Sequence, residues 1–460
     1  MVRAAIILAA GSGRKMWPYS STNNKCALPV ANEPAIARQV RLLRRAGVEN
    51  ILVVVAHRDE QIRHALRKDG EVQYVEGESE LGPAASLQKA LEVVDEGRYL
   101  VLYGDTAWTE EGLRGFLEFG TTEGRSEYVA AVLPLGLERP QDWMCAEVKG
   151  GAVRAVLGHP RDDVTHRFAG AFLLDSAIAR FLRAQPPQLR HVQVGMMSPD
   201  ELTVEGALAE FLAEGGTIAA CEVMAPWIDL DKPWHLLEAN DAILRWEGER
   251  LEGSSIHPSA SVSEGAEIDG PVVVGEGSRI GPGVKIRGPL WLGPNSEIVD
   301  GAILDGFTSI GERTSIRRYC QIEAGSAVGS GCVIGHAAEF GGVMLDGAYS
   351  FHYGEYWGIV GAKTDLGAAT VCGNLRFDDD ETIHNVRGRR EKPRFGANAA
   401  YLGDFVRTGV NVIILPGVKV GPYSVIGPGT IVSEDVPDGT LMYVEQQVVK
   451  KSWGPERYGW

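Results

Sequence analysis

The stretch Val274-Gly-Glu-Gly-Ser-Arg-Ile280-Gly-Pro-Gly-Val-Lys-Ile286-Arg-Gly-Pro-Leu-Trp-Leu292 places an aliphatic residue at every sixth position. Glycine follows several of them, as at Gly275, Gly281 and Gly293. The register extends outward, and from Ile256 through Phe340 every sixth residue is aliphatic or aromatic. A helix repeats at about 3.6 residues and a strand at about two, so neither explains this period. It predicts a parallel β-helix, in which three six-residue sides close a triangular coil and the aliphatic residue points inward. The pattern breaks over Asp346–Tyr356, returns partly at Val360 and Leu366, and breaks again between Asn374 and Ala400. It resumes at Leu402, Ile414, Val420, Ile426 and Val432, with Thr408 as the exception. Both breaks read as loops that leave the coil, where binding surfaces form.

The N-terminal half follows another rule. Apolar runs at Ala4–Leu8, Ile51–Ala56, Val72–Val75 and Tyr99–Tyr103 alternate with helical patterns at Pro34–Ala46, Asp59–Arg67 and Gly82–Val94. That alternation predicts an α/β fold with a mostly parallel, Rossmann-like sheet covered by helices. Pro233–Leu251 carries Leu236, Leu237, Ala242, Ile243 and Leu244 on a linking helix. The expected division is residues 1–232, a linker over 233–252, and the β-helix over 253–460.

The 460-residue chain is 44% hydrophobic and 23% charged, with 45 basic and 61 acidic side chains and a net charge of -16. This balance disfavours nucleic acid as a partner, because phosphate backbones demand a basic surface. The six cysteines form no CxxC pair, so they are expected to be reduced apolar fillers rather than zinc ligands or disulfides. Residues 1–10 lack a signal-peptide pattern and no apolar run has the length of a membrane span, so a cytoplasmic location without membrane partners is expected.

Leu8-Ala9-Ala10-Gly11-Ser-Gly13-Arg14-Lys15 follows a strand, and its glycines let backbone N–H groups approach an anion closely. It has neither the GKS/GKT ending of a P-loop nor the third glycine of a dinucleotide fingerprint. Alone, it fits a tight turn equally well. Together with Met16-Trp-Pro18 and Lys25-Cys-Ala-Leu-Pro-Val30, it resembles the sugar-1-phosphate nucleotidylyltransferase family over roughly residues 1–245. The resemblance implies that Leu8, Ala9, Ala10, Gly11, Gly13, Arg14, Lys15 and Gly82 bind a nucleoside triphosphate. Lys15 and Lys25 would neutralise charge at the attacked phosphate. Asp105, at the end of Leu102-Tyr-Gly-Asp105, and Asp229, in Trp227-Ile-Asp-Leu-Asp231, would hold Mg²⁺. Phe168-Ala-Gly170-Ala-Phe172 matches the strand that lines the sugar pocket. The implied reaction joins an NTP, with UTP or dTTP favoured, to a sugar 1-phosphate and releases pyrophosphate.

The C-terminal half resembles that of bifunctional, archaeal-type N-acetylglucosamine-1-phosphate uridyltransferases. The likeness runs through Asn374-Leu-Arg-Phe-Asp378, Phe395-Gly-Ala397, Leu402-Gly-Asp404, Gly409-Val-Asn411 and Pro416-Gly-Val-Lys-Val-Gly421. It implies a left-handed coil, acetyl-CoA as a co-substrate, and a homotrimer or hexamer with sites between subunits. His352 would be the general base that takes a proton from the sugar amine; a structural role in its loop is the other reading. Arg317, Tyr353 and Asn374 match sugar-phosphate or acetyl-CoA positions. In the basic run Arg387–Arg394, Arg390 and Lys392 are candidates for a phosphate clamp, and a solvated loop is the alternative.

Several positions depart from the family. Lys15 replaces an arginine, Asn24 a proline, Gly77 a base-recognising glutamine, Gly158-His159-Pro160 a Glu-Lys-Pro motif, Cys145 a glycine, and Gly341 a lysine. They leave two alternatives to a working nucleotidylyltransferase: an acetyltransferase with an inactive nucleotidyl domain, or a regulatory protein that binds NDP-sugars without turnover.

Overall fold

A computed structural model of the chain describes residues 2, 4–78, 81–95, 97–122, 128–161, 164–185 and 202–457. The first domain is built on a nine-stranded sheet. Its strands are β1 (Ala4–Ala9), β2 (Asn50–Val55), β3 (Gln73–Glu76), β4 (Arg98–Tyr103), β5 (Tyr128–Pro134), β6 (Met144–Lys149), β7 (Ala152–Gly158), β8 (His166–Asp175) and β9 (Ile218–Glu222). Their spatial order is β3-β2-β1-β4-β8-β5-β9-β7-β6. β3, β2, β1 and β4 pair in parallel, joined by helices Ala35–Arg45, Asp59–Leu66 and Pro83–Leu91. β8 inserts antiparallel between β4 and β5.

Alternate residues of β1 and β2 feed opposite faces of the sheet. Ile7, Val53 and Val55 pack with Ile36, Val40 and Leu43, whereas Ile6, Leu8 and Val54 pack with Ala84 and Leu87. Burial on both faces explains why these strands read as continuous apolar runs. The arrangement sets the carboxyl ends of β1 and β4 side by side, with Leu8 opposite Tyr103.

The second domain is a parallel β-helix. Ile256, Val274, Leu292, Ile310 and Val328 stack in register on one side, and Val262, Ile280, Ile298, Ile316 and Ile334 on the next. From Val262 and Val274 onward these side chains form one continuous core, while Ile256 at the first turn of the coil is exposed. The last coil strand is Leu441–Met442.

One sequence expectation is corrected. Asp346–Tyr356 does not leave the coil: Ile334 pairs with Ser350, and Phe340 with Tyr356. The coil is instead shortened by a tight corner at Gly341-Gly342, repeated at Trp357-Gly358, so the inward positions shift to Met344, Ser350 and Tyr356. Gly342 has φ 111° and Gly358 has φ 135°, values that only glycine adopts without strain. A Cβ on Gly342 would meet the Gly358 carbonyl and lie 3.1 Å from Leu237 Cδ2. The contraction thus makes room for the linking helix. The loop that does leave the coil runs between Cys372 and Ala400, since Cys372 next pairs with Ile414.

The linking helix, Pro233–Gly248, does not dangle between the domains. Trp234, Leu236, Leu237 and Ile243 join Met16, Tyr19 and Val30 of the first domain and Val343, Ile359 and Tyr401 of the second in a shared apolar core. Around it, Tyr19 Oη donates to Ile359 O (3.1 Å), Thr22 Oγ1 to Asp404 Oδ2 (2.9 Å) and Asn32 Nδ2 to Ser309 Oγ (2.9 Å). An apolar interface of this kind fixes the two domains relative to each other. Among the described residues no helix is long and apolar enough to cross a membrane, and the six cysteines are free and buried.

Candidate active site

Where β1 and β4 end, the chain opens a cleft of about 240 Å³. Leu8, Ala9, Ala10, Gly11, Gly13, Arg14, Lys15, Lys25, Gly82, Asp105 and Asp229 all line it, so the N-terminal residues singled out in the sequence converge. The carboxyl edge of a parallel sheet is where such folds bind ligands.

Each functional side chain is aimed by its local structure. Gly13, with φ 64°, starts the short turn Arg14–Met16, and a Cβ there would lie 3.2 Å from Lys25 Cδ. Asn24 stands where the family has proline. It is buried, its Oδ1 accepts from Cys26 N (2.9 Å), and its Nδ2 donates to His57 O (2.7 Å). It therefore caps the turn Lys25–Ala27 that carries Lys25. Asp229 is delivered by a two-stranded pairing in which it faces Thr106, and Leu230 N donates to Asp105 O (2.7 Å).

The charges are tightly organised. Lys25 forms an ion pair with Asp105, and Lys15 lies 3.0 Å from Asp231. Burial opposes the Lys25 charge, but Asp105, Asp231 and Asp229 outweigh it and hold its pKa above the ordinary lysine range. Burial, then Asp105 and Asp231, push Asp229 up to about 7. Asp229 Oδ1 is buried without a hydrogen-bond partner. A crowded carboxylate with an unused oxygen fits a hard divalent cation, which prefers oxygen ligands and is completed by phosphate oxygens. Asp105 and Asp229 are the residues that would hold it. Among the described residues no group of three or more His, Cys, Asp or Glu side chains is placed to hold a metal ion.

The departures have local causes. A Cβ on Gly77 would lie 2.7 Å from Val54 Cγ1 and 3.2 Å from Ala10 Cβ, so the backbone crosses β2 too closely for the expected glutamine. The neighbouring Glu78 lines the cleft instead. His159 Nδ1 lies 2.9 Å from Gln141 O, and burial followed by Lys15 and Arg389 lowers its pKa to about 4, leaving it neutral. Gly170 has φ 71°, and a Cβ there would meet Tyr103 Cδ2 at 2.8 Å. Tyr103, which lines the cleft, donates to the buried Glu205 (2.6 Å). Glu78, Tyr103, Asp231 and Arg387 line the cleft as well and were given no role there from sequence, although Tyr103 and Asp231 lie inside quoted motifs and Arg387 opens the basic run.

On the β-helix, Arg317, His336, His352 and Tyr353 gather at one corner. Arg317 N donates to Ile334 O (2.9 Å), the rings of His336 and His352 meet edge to face at 5.9 Å, and Tyr353 O accepts from Ala369 N (2.8 Å). His352 and Tyr353 are exposed. Asn374 lies at a different corner, following the strand Val371–Cys372. Tyr356, which flanks the His352 segment, points into the core and meets Ser350 Oγ (2.6 Å). The basic run folds as a hairpin, His384–Val386 with Arg389–Glu391. Arg390 is exposed on it, and Lys392 Nζ pairs with Asp380 (2.5 Å).

Residues 5–160 match the family described as MobA-like NTP transferase domain. A bifunctional sugar-1-phosphate nucleotidylyltransferase/acetyltransferase of Sulfurisphaera tokodaii is 27% identical over 442 residues, covering 96% of this chain and 100% of that protein. The chain is similar to this bifunctional protein along nearly its whole length. The bifunctional protein GlmU of Methanococcus maripaludis is 28% identical over 451 residues, covering 97% of this chain and 98% of its own. That of Methanococcus vannielii is 26% identical over 457 residues, with 97% and 99% covered. The matched segment spans β2 to β4 and the whole glycine loop, and the similarity to these relatives runs across both domains of this chain.

Proposed function

We propose that this chain is a sugar-1-phosphate nucleotidylyltransferase that joins an NTP to a sugar 1-phosphate, with an acetyl-CoA-dependent N-acetyltransferase site on its β-helix. The observation that carries the first activity is the convergence of Lys15, Lys25, Asp105 and Asp229 around the glycine loop at the ends of β1 and β4. In this reaction a phosphate oxygen of the sugar 1-phosphate attacks the α-phosphorus of the NTP. The bond to the β-phosphate oxygen breaks and pyrophosphate leaves, so no protein nucleophile is needed. Bound Mg²⁺ supplies charge neutralisation to the phosphate oxygens. The glycine loop brings backbone N–H groups to the triphosphate. Lys25, held protonated by the surrounding carboxylates, keeps a fixed positive charge beside the reacting phosphate, and Lys15 supplies another.

For the second activity, His352 takes the proton from an amino-sugar nitrogen as it attacks the thioester, and coenzyme A leaves as the thiol. His352 sits exposed at the corner shared with Arg317 and Tyr353, which supports the reading. A left-handed coil and a trimer that brings the Asn374 corner of one subunit to the His352 corner of another complete it. Exposed Leu375, Ile413, Leu415 and Ile431 support burial of that face between subunits.

A pyrophosphate-release screen of UTP and dTTP against glucose 1-phosphate and N-acetylglucosamine 1-phosphate tests the first activity. Release with at least one pair, lost in Asp105→Asn, is expected; no release with any NTP and sugar phosphate overturns it. Thiol release from acetyl-CoA with glucosamine 1-phosphate, abolished in His352→Ala, is the matching test of the second.

A further inference from the structure

Arg387 belongs to the β-helix domain by sequence, yet it lines the nucleotidyl cleft together with Lys15, Lys25, Asp105 and Asp229. The loop that leaves the coil after Cys372 folds back onto the first domain as the hairpin His384–Val386 with Arg389–Glu391. Val386 pairs with Arg389, so Arg387-Gly388 is a two-residue turn. Both residues have positive φ, 49° at Arg387 and 83° at Gly388, the geometry of a tight hairpin turn. The first position of such a turn favours asparagine, aspartate or glycine. A long side chain there is strained, and strain of this kind gathers at functional sites.

The hairpin is clamped to the first domain at both ends of its second strand. Glu391 Oε2 lies 3.2 Å from Lys232 Nζ, and Lys232 Nζ lies 3.4 Å from Asp231 Oδ2. Arg389 Nη2 donates to Gln141 O (2.5 Å) and faces Asp142 Oδ1 (3.4 Å). The tip is therefore held at the cleft. Two of the other lining cations are already committed, Lys25 to Asp105 and Lys15 to Asp231. Among the described residues the Arg387 guanidinium has no ion-pair or hydrogen-bond partner. A guanidinium that is anchored at its base, uncommitted at its head and directed into a phosphate site presents a planar fork suited to two phosphate oxygens.

We infer that Arg387 is a phosphate-binding residue of the nucleotidyl site, donated across the domain interface, so that the β-helix completes the active site of the first domain. This rests on the nucleotidylyltransferase reading. It gives the basic run a role at the N-terminal cleft, and supplies a forked donor to a site in which the usual arginine of the glycine loop is Lys15.

The test uses the full chain with inorganic pyrophosphate as the titrant in calorimetry, and the steady-state KM for NTP. Arg387→Ala is expected to weaken pyrophosphate binding roughly tenfold or more, the scale of one lost charge-assisted contact. Arg387→Asn should weaken it equally while keeping or raising the thermal midpoint, because asparagine suits the turn. That pairing separates loss of a ligand contact from loss of the hairpin. Wild-type binding with unchanged affinity in both variants overturns the inference and leaves the nucleotidylyltransferase reading standing. If the wild-type chain neither binds pyrophosphate nor releases it from any NTP and sugar phosphate pair, the parent reading falls and the inference with it.

Discussion

Lys232 Nζ and Glu391 Oε2 stand 3.2 Å apart with side-chain exposures of only 3% and 6%, one from each domain. Burying two charges is costly, and their mutual attraction offsets that cost only while both are present. Removing one partner leaves an unpaired charge inside. Glu391→Ala is expected to destabilise the chain by about 3 kcal/mol, whereas Lys232→Met with Glu391→Leu recovers most of the loss. Chemical denaturation of the single and double variants checks this. A single-variant effect below about 1 kcal/mol would mean that the pair is solvated.

Asp229 is crowded by Asp105 and Asp231, and its Oδ1 has no hydrogen-bond partner. Burial and like charge of this kind disfavour the ionised carboxylate in the folded chain. Asp229→Asn keeps the shape and removes the repulsion. Thermal melting without Mg²⁺ should show the variant as stable as the wild type or more so, while pyrophosphate release falls by two orders of magnitude or more (roughly 3 kcal/mol of transition-state stabilisation). A variant that melts earlier and still turns over contradicts the assignment.

Stability should depend on pH through His384. The ring is buried, its Nε2 lies 2.8 Å from Ala397 O, and its Nδ1 lies 2.6 Å from Lys419 Nζ. The neutral tautomer with hydrogen on Nε2 satisfies both contacts. Burial, then Lys419, lowers the pKa from 6.5 to about 4. The unfolded chain therefore takes up this proton near pH 6.5 and the folded chain only near pH 4, so unfolding is favoured as pH falls between them. The loss amounts to at most about 3 kcal/mol and is complete below pH 4; above 6.5 His384 contributes no slope. Denaturation midpoints of wild type and His384→Gln, compared from pH 7.5 to 4, should converge as the pH drops.

The sequence was most legible where one physical rule acts over many residues. Period-six stacking from Val262 to Phe340 appears in the coil as read, because each of these residues has only the core to face. The glycine loop, Lys25, Asp105 and Asp229, separate in sequence, line one cleft in the fold. Legibility failed where tertiary contacts set the local answer. The break after Phe340 reads as a loop in one dimension, but Gly342 and Gly358 tighten a corner so that Leu237 can pack. Arg387 lies far in sequence from the cleft it lines, as does Glu391 from Lys232, and no periodicity links a hairpin in one domain to a lysine in another.

Gly77 stands where the family resemblance implies a base-recognising glutamine, and its surroundings leave no room for one. Gly77 N donates to Val55 O (2.8 Å), drawing the backbone onto the end of β2. A Cβ there would sit 2.7 Å from Val54 Cγ1 and 3.4 Å from Ser86 Oγ. Val54 is fully buried in the sheet core and cannot move aside freely. Gly77→Ala should therefore cost about 1–3 kcal/mol through overpacking. Gly77→Gln should cost at least as much and should not improve kcat/KM for UTP, because the side chain has no path into the cleft. Restored uridine selectivity in a stable Gly77→Gln protein would show that the backbone yields, and base recognition would then return to this position rather than lying with Glu78, which lines the cleft next to it.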